Sequence, residues 1–576
     1  MNGSLAIAWR DWSKEAFEQA KKEHKPILLD LTAVWCHWCH RMDEDNYARE
    51  SIIKTINEHF IPLRVDIDAF PEIANRYHMG GFPTTAFLDA FGNTMMGGTY
   101  IPPGQFDSTL EQVKQMYAHI SKELPNTNAD ELPLMEKSAN VSKELPQLTS
   151  LLSATIAEEI GHNFDADNGG FGLQPKFPLP DVVDFLLLHF MQSKEGHFRM
   201  MVEQTLHGME RLQDEEEKGF FRYAVQADWT QPHYEKMLET NAGIIRNYVH
   251  AFGVLHHEEY KRVAQEAIGY VATHLTSNEG FFFASQDADE HYYGHFLEER
   301  RNLSPPFIDQ RLFCNLNAQM IHAFLEGGVY LDEKQWIRMG LRALDEVLRQ
   351  CTHPTKGLLH TPHEGQIPAG LGDYVWLLHA LVQAFELLQD RKYLERAEAL
   401  MEECRSRLGD VVDGLFWDKA ESPHDVGLLK KHDKPLQENA LLCIVQHRLA
   451  FFTGKEIHRL QGEKGLRHLL RNFVPHQLGN GWMGLAVEQY LHPIEINLIG
   501  TFPEEKSLAT HHALLKRFHP LKSVMFWDTQ RDKAHITAKG YATQHVPVMY
   551  TCIGGACLPA MHTMEELEAA ILEING

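Results

Sequence analysis

The segment PILLDLTAVWCHWCH, residues 26–40, joins an apolar run to a Cys-x-x-Cys pair. The apolar run predicts a buried strand, and the cysteines follow where that strand turns into a helix. The first thiol, Cys36, would then lie at the positive N-terminal end of the helix, which favours the thiolate. Cys39, one helical turn on, could displace a mixed disulfide from Cys36. The segment therefore predicts a thiol–disulfide centre with Cys36 as nucleophile and Cys39 as resolving thiol.

Other features near this segment are typical of a redox centre. Asp30 lies on the apolar run, where burial would raise its pKa and let it exchange protons with the resolving thiol. Residues 62–68 predict a second strand, and residues 80–88 predict a glycine turn that runs into a third. Pro83 opens that third strand after paired glycines, which favours a cis peptide bond. Its missing N–H leaves the neighbouring backbone free to pair with a substrate strand.

This order of parts resembles the thioredoxin fold, with Pro83 as the cis-proline beside the disulfide and Arg64 where thioredoxins carry a lysine. A closer resemblance is to the thioredoxin-like domain of the YyaL / spermatogenesis-associated thioredoxin-like family, through CHWCH at 36–40, NEHF at 57–60, VD at 65–66 and GGTYIP at 97–102. Members of that family usually have a small polar residue before the first cysteine and lack the buried acid. This chain has Trp35 and Asp30, as an active thioredoxin does. The resemblance implies redox chemistry with a protein thiol or disulfide, or a reductase, as partner.

Two alternatives to redox chemistry stay open for this segment. The cysteines and histidines of residues 36–40 could bind zinc, but four ligands in five residues cannot surround one tetrahedral ion. No later Cys/His pair has finger spacing, so we expect no metal and no cofactor. The other alternative is a thioredoxin-like binding module whose cysteines stay reduced and idle.

Length and composition restrict the class of protein. The 576 residues are too many for one hydrophobic core and predict two or three domains. The 54 basic and 79 acidic residues give a net charge of −25, so we expect neither nucleic acid nor membrane as a partner. A signal-peptide pattern is absent, and eight cysteines are too few for a disulfide framework, so the expected location is cytoplasmic. Cys552 and Cys557 flank a glycine pair and could relay electrons or be plain buried thiols.

The sequence pattern divides the chain into four parts. Residues 1–124 carry the thioredoxin-like pattern, and the polar, proline-bounded residues 125–147 predict a linker. In residues 148–490 a glycine followed by large apolar residues recurs six times, about 50 to 80 residues apart, and most intervals hold two amphipathic helices. Six helical hairpins predict an (α/α)6 barrel, with an open solenoid as the alternative. Residues 491–576 predict a small α/β appendage. The predicted fold class is therefore multidomain: an α/β thioredoxin-like fold, an all-α barrel and an α/β appendage.

The barrel region resembles the second domain of the same family, which is similar to six-hairpin glycosidases and to N-acylglucosamine and cellobiose 2-epimerases. The matching phrases are GGFGLQPKFP at 169–178, PHYEKML at 232–238 and SQDAD at 285–289. Phe221 departs from the pattern, because relatives often have histidine there. The resemblance implies a sugar-like small molecule as ligand.

A second candidate site follows from the residues that start the first helix after each glycine turn. In such a barrel these helix starts converge on one rim of the cavity. Acids and amides at helix starts are usually caps, whereas cations there need an acidic partner or an anionic ligand. Two neighbouring acids on one strand would repel, which can raise one pKa into a general-acid range. The predicted pocket residues are Lys176, His233, Glu235, Lys236, Asp287, Asp289 and Asp373.

These residues could supply the acid and base of a sugar epimerase or isomerase, or the two carboxylates of a glycoside hydrolase. Their spacing does not choose between the two, and a structural polar ring is a further interpretation. Our first expectation is a thiol–disulfide oxidoreductase in which Asp30 handles the proton and Pro83 shapes the substrate groove. The alternatives are a carbohydrate-active enzyme that uses the barrel pocket and a non-catalytic interaction protein.

Overall fold

The computed structural model describes residues 6–123, 145–363, 365–471 and 480–574. Its N-terminal part alternates helices and strands. In chain order these are α1 (Lys14–Glu23), β1 (Ile27–Thr32), α2 (His37–Met42), α3 (Glu50–His59), β2 (Ile61–Asp66), α4 (Pro71–Tyr77), β3 (Thr84–Leu88), β4 (Thr94–Gly98) and α5 (Pro103–Glu123), with a π-helical turn at Asp43–Tyr47 after α2.

The N-terminal sheet has the strand order β2–β1–β3–β4. Strand β1 is parallel to β2 and antiparallel to β3, and β3 is antiparallel to β4. The predicted strand that leads to the cysteines is therefore central, and all of its residues except Thr32 are buried. Its register places Asp30 opposite Arg64 on β2. This mixed sheet confirms the predicted thioredoxin-like fold.

The middle part of the chain is dominated by long helices joined by short strands. The helices are α6 (Ser150–Gly161), α7 (Pro180–Ser193), α8 (Gly196–Glu210), α9 (Leu238–Leu255), α10 (Glu258–His274), α11 (Glu290–Tyr293), α12 (Leu297–Arg300), α13 (Cys314–Tyr330), α14 (Lys334–Gln350), α15 (Leu371–Leu388), α16 (Arg391–Leu408), α17 (Leu436–Thr453), α18 (Glu456–Arg471) and α19 (Gly481–Leu491). The strands are β5 (Tyr223–Ala224), β6 (Pro232–His233), β7 (Lys236–Met237), β8 (Ser285–Gln286), β9 (Ile308–Asp309), β10 (Thr352–His353), β11 (Gly357–Thr361) and β12 (Ile367–Pro368).

Within the described ranges, α7, α9, α13, α15, α17 and α19 form a closed ring, because each packs on the next and α19 packs on α7. These inner helices are buried on nearly every side, whereas an outer helix such as α14 buries one face only. The ring closes through glycine: a Cβ at Gly481 would lie 2.3 Å from the Asp181 backbone, and one at Gly484 would meet the Phe185 ring. The predicted (α/α)6 barrel is confirmed, and the open solenoid is wrong.

An asparagine on the following inner helix binds the residue after several of the glycine turns. The side-chain amide accepts from that residue's N–H and donates to its carbonyl, so both buried backbone groups are satisfied. The pairs are Asn241 with Phe220, Asn317 with Phe282 and Asn439 with Phe416, with N–H···O distances of 2.8, 2.7 and 2.8 Å. The recurring phrase in the sequence therefore marks a repeated connection between turn and helix.

The C-terminal part packs against one end of the barrel. Its elements are β13 (Ile494–Gly500), α20 (Glu505–Lys516), β14 (Lys522–Asp528), α21 (Lys533–Lys539), β15 (Val548–Ile553), β16 (Ala556–Cys557) and α22 (Met564–Ile574), with the strand order β14–β13–β15–β16. Glu386 on α15 accepts the N–H of Val524 at 2.6 Å. Leu515 and the segment Phe518–Lys522 line a cavity together with residues of the inner helices.

The predicted linker, residues 125–147, lies largely outside the described residues, so its bounds stay a prediction. Across the described ranges, we find no helix with the length and apolarity that a membrane span requires.

Candidate functional site

Cys36 and Cys39 form a disulfide at the start of α2. Cys36 directly precedes the helix, and the Cys39 N–H donates to its Sγ at 3.2 Å. This sulfur therefore lies at the positive end of the helix dipole, where a thiolate is favoured once the bond is reduced. The Phe82–Pro83 peptide is cis, as the sequence predicted.

Asp30 is buried on β1 and accepts a hydrogen bond from Arg64 Nε at 2.7 Å. Burial raises the pKa of Asp30 to about 6, although the Arg64 charge opposes the rise. The guanidinium of Arg64 also pairs with Asp43 and lies 4.3 Å from the Trp9 ring. A carboxyl with this pKa is ionised at neutral pH and can act as a proton acceptor.

The disulfide faces the barrel and is covered by it. Trp35, Cys36 and Cys39 are each 3% exposed. Met237 of the barrel joins the apolar cluster that contains these three residues. The guanidinium of Arg222, also from the barrel, lies 4.4 Å from the Trp35 ring. The redox centre is therefore buried at a junction between domains.

Three of the predicted pocket residues, His233, Glu235 and Asp287, lie near His40, the residue that follows Cys39. His40 Nδ1 lies 3.6 Å from Asp287 Oδ2, and His233 Nδ1 lies 3.6 Å from Glu235 Oε2. Burial raises the pKa of Asp287 to about 6 against the pull of His40, and the charges of Glu235 and Asp289 add to the rise. Neighbouring acids thus raise the pKa of Asp287, as predicted, but loss of hydration on burial raises it more.

Further polar contacts hold the two domains together. Arg311 donates to Asp66 at 2.8 Å, and His360 Nε2 lies 2.7 Å from the Asp68 carbonyl. At the other side of the junction Arg76 pairs with Asp418 at 2.7 Å. These partly or fully buried contacts fix the orientation of the thioredoxin-like domain on the barrel.

The prediction that Lys176 and Lys236 line a pocket is wrong. Both side chains are fully buried in ion pairs with acids from the preceding turn. Lys176 Nζ donates to Asp165 at 2.8 Å, and Lys236 Nζ donates to Asp214 at 2.7 Å and to Glu217 at 3.0 Å. The negative charge that these lysines require comes from acidic side chains of the protein and not from a bound ligand. Neither lysine lies at the start of a helix.

Asp289 and Asp373 also have structural roles rather than the predicted pocket role. Asp289 caps α11 by accepting the Tyr292 N–H at 2.9 Å. Asp373 accepts the N–H of Gly370 at 2.9 Å and binds His360 Nδ1 at 2.9 Å. Burial lowers the pKa of His360, but Asp373 outweighs it and raises that pKa to about 9.

The starts of the inner helices do converge on a cavity, as predicted. Two acids at those starts, Asp181 and Glu438, line it, whereas none of the seven predicted pocket residues does. We call this cavity, of about 410 Å³, the upper cavity. Burial raises the pKa values of three of its carboxyls, those of Asp181, Glu239 and Glu438. Its lining includes Phe177, Asp181, Arg222, Glu239, Arg246, Asn315, Gly372, Trp376, Glu438 and Trp482.

A second cavity, of about 110 Å³, lies deeper among the inner helices, and we call it the lower cavity. His250 lies between Asp184 and Glu326, at 2.9 Å from each. Burial lowers the pKa of His250, but the two carboxylates outweigh it and raise that pKa to about 9. The rings of His322 and His379 stack at 4.0 Å, and burial holds both of their pKa values well below the usual range. Arg246 and Trp482 line both cavities and so lie between them.

Sequence reasoning missed the lower cavity altogether. The available signal was a single ionisable residue within a strongly apolar helix, such as Asp184 in DVVDFLLL and Arg246 in GIIRNYV. Such residues are rarely buried unless they are paired or functional. The glycine turns mark only the starts of the inner helices, whereas these polar residues lie one or two helical turns further along.

The fold and the disulfide centre define a thioredoxin-like domain seated on an (α/α)6 barrel. The comparisons agree: residues 3–140 match the family model Thioredox_DsbH, described as a protein of unknown function, DUF255. The N-terminal part is thus a thioredoxin-like domain of the DsbH type, and the resemblance inferred from the sequence is confirmed.

Relatives of known sequence match parts of the chain. Spermatogenesis-associated protein 20 of Mus musculus is 31% identical over 306 residues, which cover 49% of this chain and 39% of that protein. This chain therefore matches about two fifths of the length of spermatogenesis-associated protein 20. Disulfide bond reductase DsbH of Chlamydia pneumoniae is 31% identical over 116 residues, 17% of this chain and 66% of that protein. Among solved structures, cellobiose 2-epimerase from Bacillus thermoamylovorans B4167 is 13% identical with a TM-score of 0.47, covering 57% of this chain and 87% of that one.

Proposed function

We propose that this protein is a thiol–disulfide oxidoreductase in which Cys36 attacks and Cys39 resolves. The observation that carries the proposal is the placement of the Cys36–Cys39 pair at the N-terminus of α2, shortly after strand β1, which holds the buried, titratable Asp30. The name of the DsbH relative, a disulfide bond reductase, supports the same chemistry. Because this chain has few cysteines, eight in 576 residues, we place it in the cytosol.

In the proposed mechanism, the reduced Cys36 thiolate attacks a substrate disulfide and forms a mixed disulfide with it. Asp30, ionised above its pKa of about 6, takes the proton of the Cys39 thiol. The Cys39 thiolate then attacks Cys36 Sγ and releases the reduced substrate. Pro83, which follows a cis peptide, would shape the substrate site in this proposal.

The test is a redox titration of the Cys36–Cys39 pair against dithiothreitol, followed by mass tagging of free thiols. The background is Cys552→Ser/Cys557→Ser, which removes the other disulfide. We expect the parent protein to show a reversible two-electron transition and to reduce hydroxyethyl disulfide. The substitution Cys36→Ser should abolish both. Equal reduction of hydroxyethyl disulfide by Cys36→Ser and its parent would contradict the proposal.

A second candidate function is sugar epimerisation or isomerisation in the barrel. It is favoured by the lower cavity, where the neutral His322 and His379 lie with His250, which the neighbouring carboxylates keep protonated. Within the described residues, His379 Nδ1 has no hydrogen-bond partner. A neutral imidazole can remove a proton next to a carbonyl, and a protonated one can return it.

This candidate is tested by incubating the protein with a panel of aldoses in D2O and following the C2 proton by NMR. Exchange that His379→Phe abolishes would support it. The control is His162→Phe, which changes an exposed histidine outside both cavities. Absence of exchange in the parent protein, or its persistence in His379→Phe, would reject the candidate.

A further inference from the structure

The residues that would meet a peptide substrate are covered in this protein. In a thioredoxin-type centre, the side chains beside the disulfide and the cis-proline present the surface on which an extended chain is bound. Here Trp35 is 3% exposed. The guanidinium of Arg222 lies over its ring, and the centre of the Phe82 ring lies 6.4 Å from the centre of the Trp35 ring. Pro83 is buried as well. Trp38, which lies between the cysteines, stays 42% exposed, but a folded protein would reach the buried sulfur atoms only by displacing the barrel.

Opening the junction to admit a protein would break several buried contacts at once. These include the ion pair of Arg311 with Asp66 and the bond of His360 to the Asp68 carbonyl. All of these contacts would have to break together, so an opening wide enough to admit a protein is disfavoured. Access from the barrel side does not require it.

Arg222 connects the covered disulfide to the upper cavity. Its side chain lines that cavity, while its guanidinium lies 4.4 Å from the Trp35 ring and 5.6 Å from the Tyr223 ring. None of the ion pairs within 4 Å among the described residues involves Arg222, which has ring contacts and, at longer range, the charge of Glu239 in the same cavity. This one long side chain therefore stands between the cavity and the Trp35 ring. The cavity volume, about 410 Å³, is within the range of pockets that hold small organic ligands.

We propose that the Cys36–Cys39 centre acts on a low-molecular-weight disulfide that reaches it through the upper cavity, with Arg222 as the gate; this rests on the proposed oxidoreductase function. The lining combines aromatic rings with amide and carboxyl groups, which suits a polar, hydroxyl-bearing carrier group. The barrel thereby selects the substrate by size, because it covers the surface that a protein disulfide would need.

The step is a two-electron thiol–disulfide exchange. The Cys36 thiolate attacks one sulfur of the small disulfide, whose S–S bond breaks, and the first thiol leaves as a thiolate that takes a proton from water. Cys39, having given its proton to Asp30, attacks Cys36 Sγ and releases the second thiolate. The substrate becomes two thiols and the cysteine pair becomes a disulfide. A dithiol reductant returns the pair to the reduced state.

The test uses the full chain, reduced beforehand and freed of reductant, in single-turnover reactions with hydroxyethyl disulfide and with insulin. Each rate is divided by the rate of free dithiothreitol with the same disulfide, which removes intrinsic reactivity. We expect the normalised rate to be at least about tenfold higher for hydroxyethyl disulfide, because the junction excludes insulin. Equal normalised rates would overturn the inference while leaving the oxidoreductase function intact. Failure of the cysteine pair to titrate would instead reject that function.

Two variants test the route itself. Gly372 lines the upper cavity, and a Cβ placed there meets no atom within 4 Å, so Gly372→Phe fills the cavity without disturbing the backbone. It should lower the ratio of the hydroxyethyl disulfide rate to the insulin rate about tenfold, whereas Gly196→Phe, at another open helix start, should not change it. Arg222→Ala removes the proposed gate and should raise the hydroxyethyl disulfide rate severalfold without raising the insulin rate, while Arg199→Ala changes a partly exposed arginine outside the cavity and serves as the control. An unchanged ratio in Gly372→Phe would overturn the route.

Discussion

Asp30 is an acid whose environment favours its neutral form. Burial raises its pKa to about 6, compared with an ordinary value of 3.8, so the folded protein binds this proton more tightly than the unfolded chain. The free energy of unfolding therefore falls as pH rises from about 4 to about 6, and the full penalty is present above pH 6. The Arg64 contact reduces this penalty but does not remove it.

We predict that Asp30→Asn is more stable than the parent protein at pH 8, by about 1–3 kcal/mol, and that the difference disappears near pH 4. Denaturant unfolding at the two pH values measures this. Asp43→Asn is the matched control, because it changes the other, more exposed partner of Arg64. A variant that is less stable than the parent at pH 8 would show that ionised Asp30 stabilises the fold.

At this scale the sequence predicted residues whose roles depend on local order along the chain. Cys36, Asp30 and Pro83 follow from the order of strand, turn and helix, and the structure places them as expected. Lys236 was misread because Asp214 and Glu217 pair with it across a turn, and one such turn considered alone does not reveal the pairing.

At the scale of elements, the buried lysines belong to a repeated structural device. Lys236 pairs with acids that precede its glycine turn, and Lys434 pairs in the same way with Asp410 and Asp413. A contact that recurs at equivalent turns is a property of the repeat, and this recurrence was visible in the sequence as an acid ahead of the glycine and a lysine after it. It explains why cations lie near helix starts without a ligand.

We predict that Lys236→Met lowers the free energy of unfolding of the barrel by about 3–5 kcal/mol, because it leaves the buried Asp214 and Glu217 with Arg300 as their one remaining cation among the described ion pairs. Thermal unfolding followed by circular dichroism measures the change. The control, Lys334→Met, alters an exposed lysine at the start of α14 and should have little effect. Similar melting of the two variants would show that the buried ion pair does not stabilise the repeat.

His250 links three inner helices, since it lies on α9 and binds Asp184 on α7 and Glu326 on α13. Its folded pKa of about 9 exceeds the ordinary value of 6.5, so its stabilising contribution is complete below pH 6.5 and is lost as pH rises through 9. We predict that His250→Gln destabilises the protein most at pH 6 and least at pH 9.5. Chemical unfolding at both pH values checks this, with His162→Gln as control; a pH-independent difference would contradict it.

At the scale of the whole molecule, the three parts could be predicted but their arrangement could not. Composition and repeats identify a thioredoxin-like part, a barrel and an appendage. The contact of Arg222 with Trp35 joins positions almost two hundred residues apart, and no periodicity or motif links them. Tertiary docking also determines which helix residues face the cavities. The sequence therefore predicted that the helix starts surround a cavity, but it did not predict most of the side chains that line the upper cavity.

Arg311 forms an ion pair across the junction between the barrel and the thioredoxin-like domain. This side chain of the barrel donates to Asp66 of the thioredoxin-like domain at 2.8 Å and to its neighbour Asp309 at 2.7 Å. Arg311→Ala leaves the two carboxylates facing each other across the junction without their cation, and like charges repel. The thioredoxin-like domain should therefore lift from the barrel more often, exposing the sulfur of Cys36.

We predict that alkylation of Cys36 in the reduced protein is about tenfold faster in Arg311→Ala than in the parent, since about 1.4 kcal/mol of lost docking energy changes the open population tenfold. Quenched-flow labelling with iodoacetamide and peptide mass analysis measures the rate at this cysteine. Arg301→Ala, which removes an exposed arginine of the same barrel segment, should leave the rate unchanged. If Cys36 is alkylated equally fast in Arg311→Ala and the parent, the ion pair does not hold the domains together, and burial of the disulfide must depend on the apolar contact with Met237 instead.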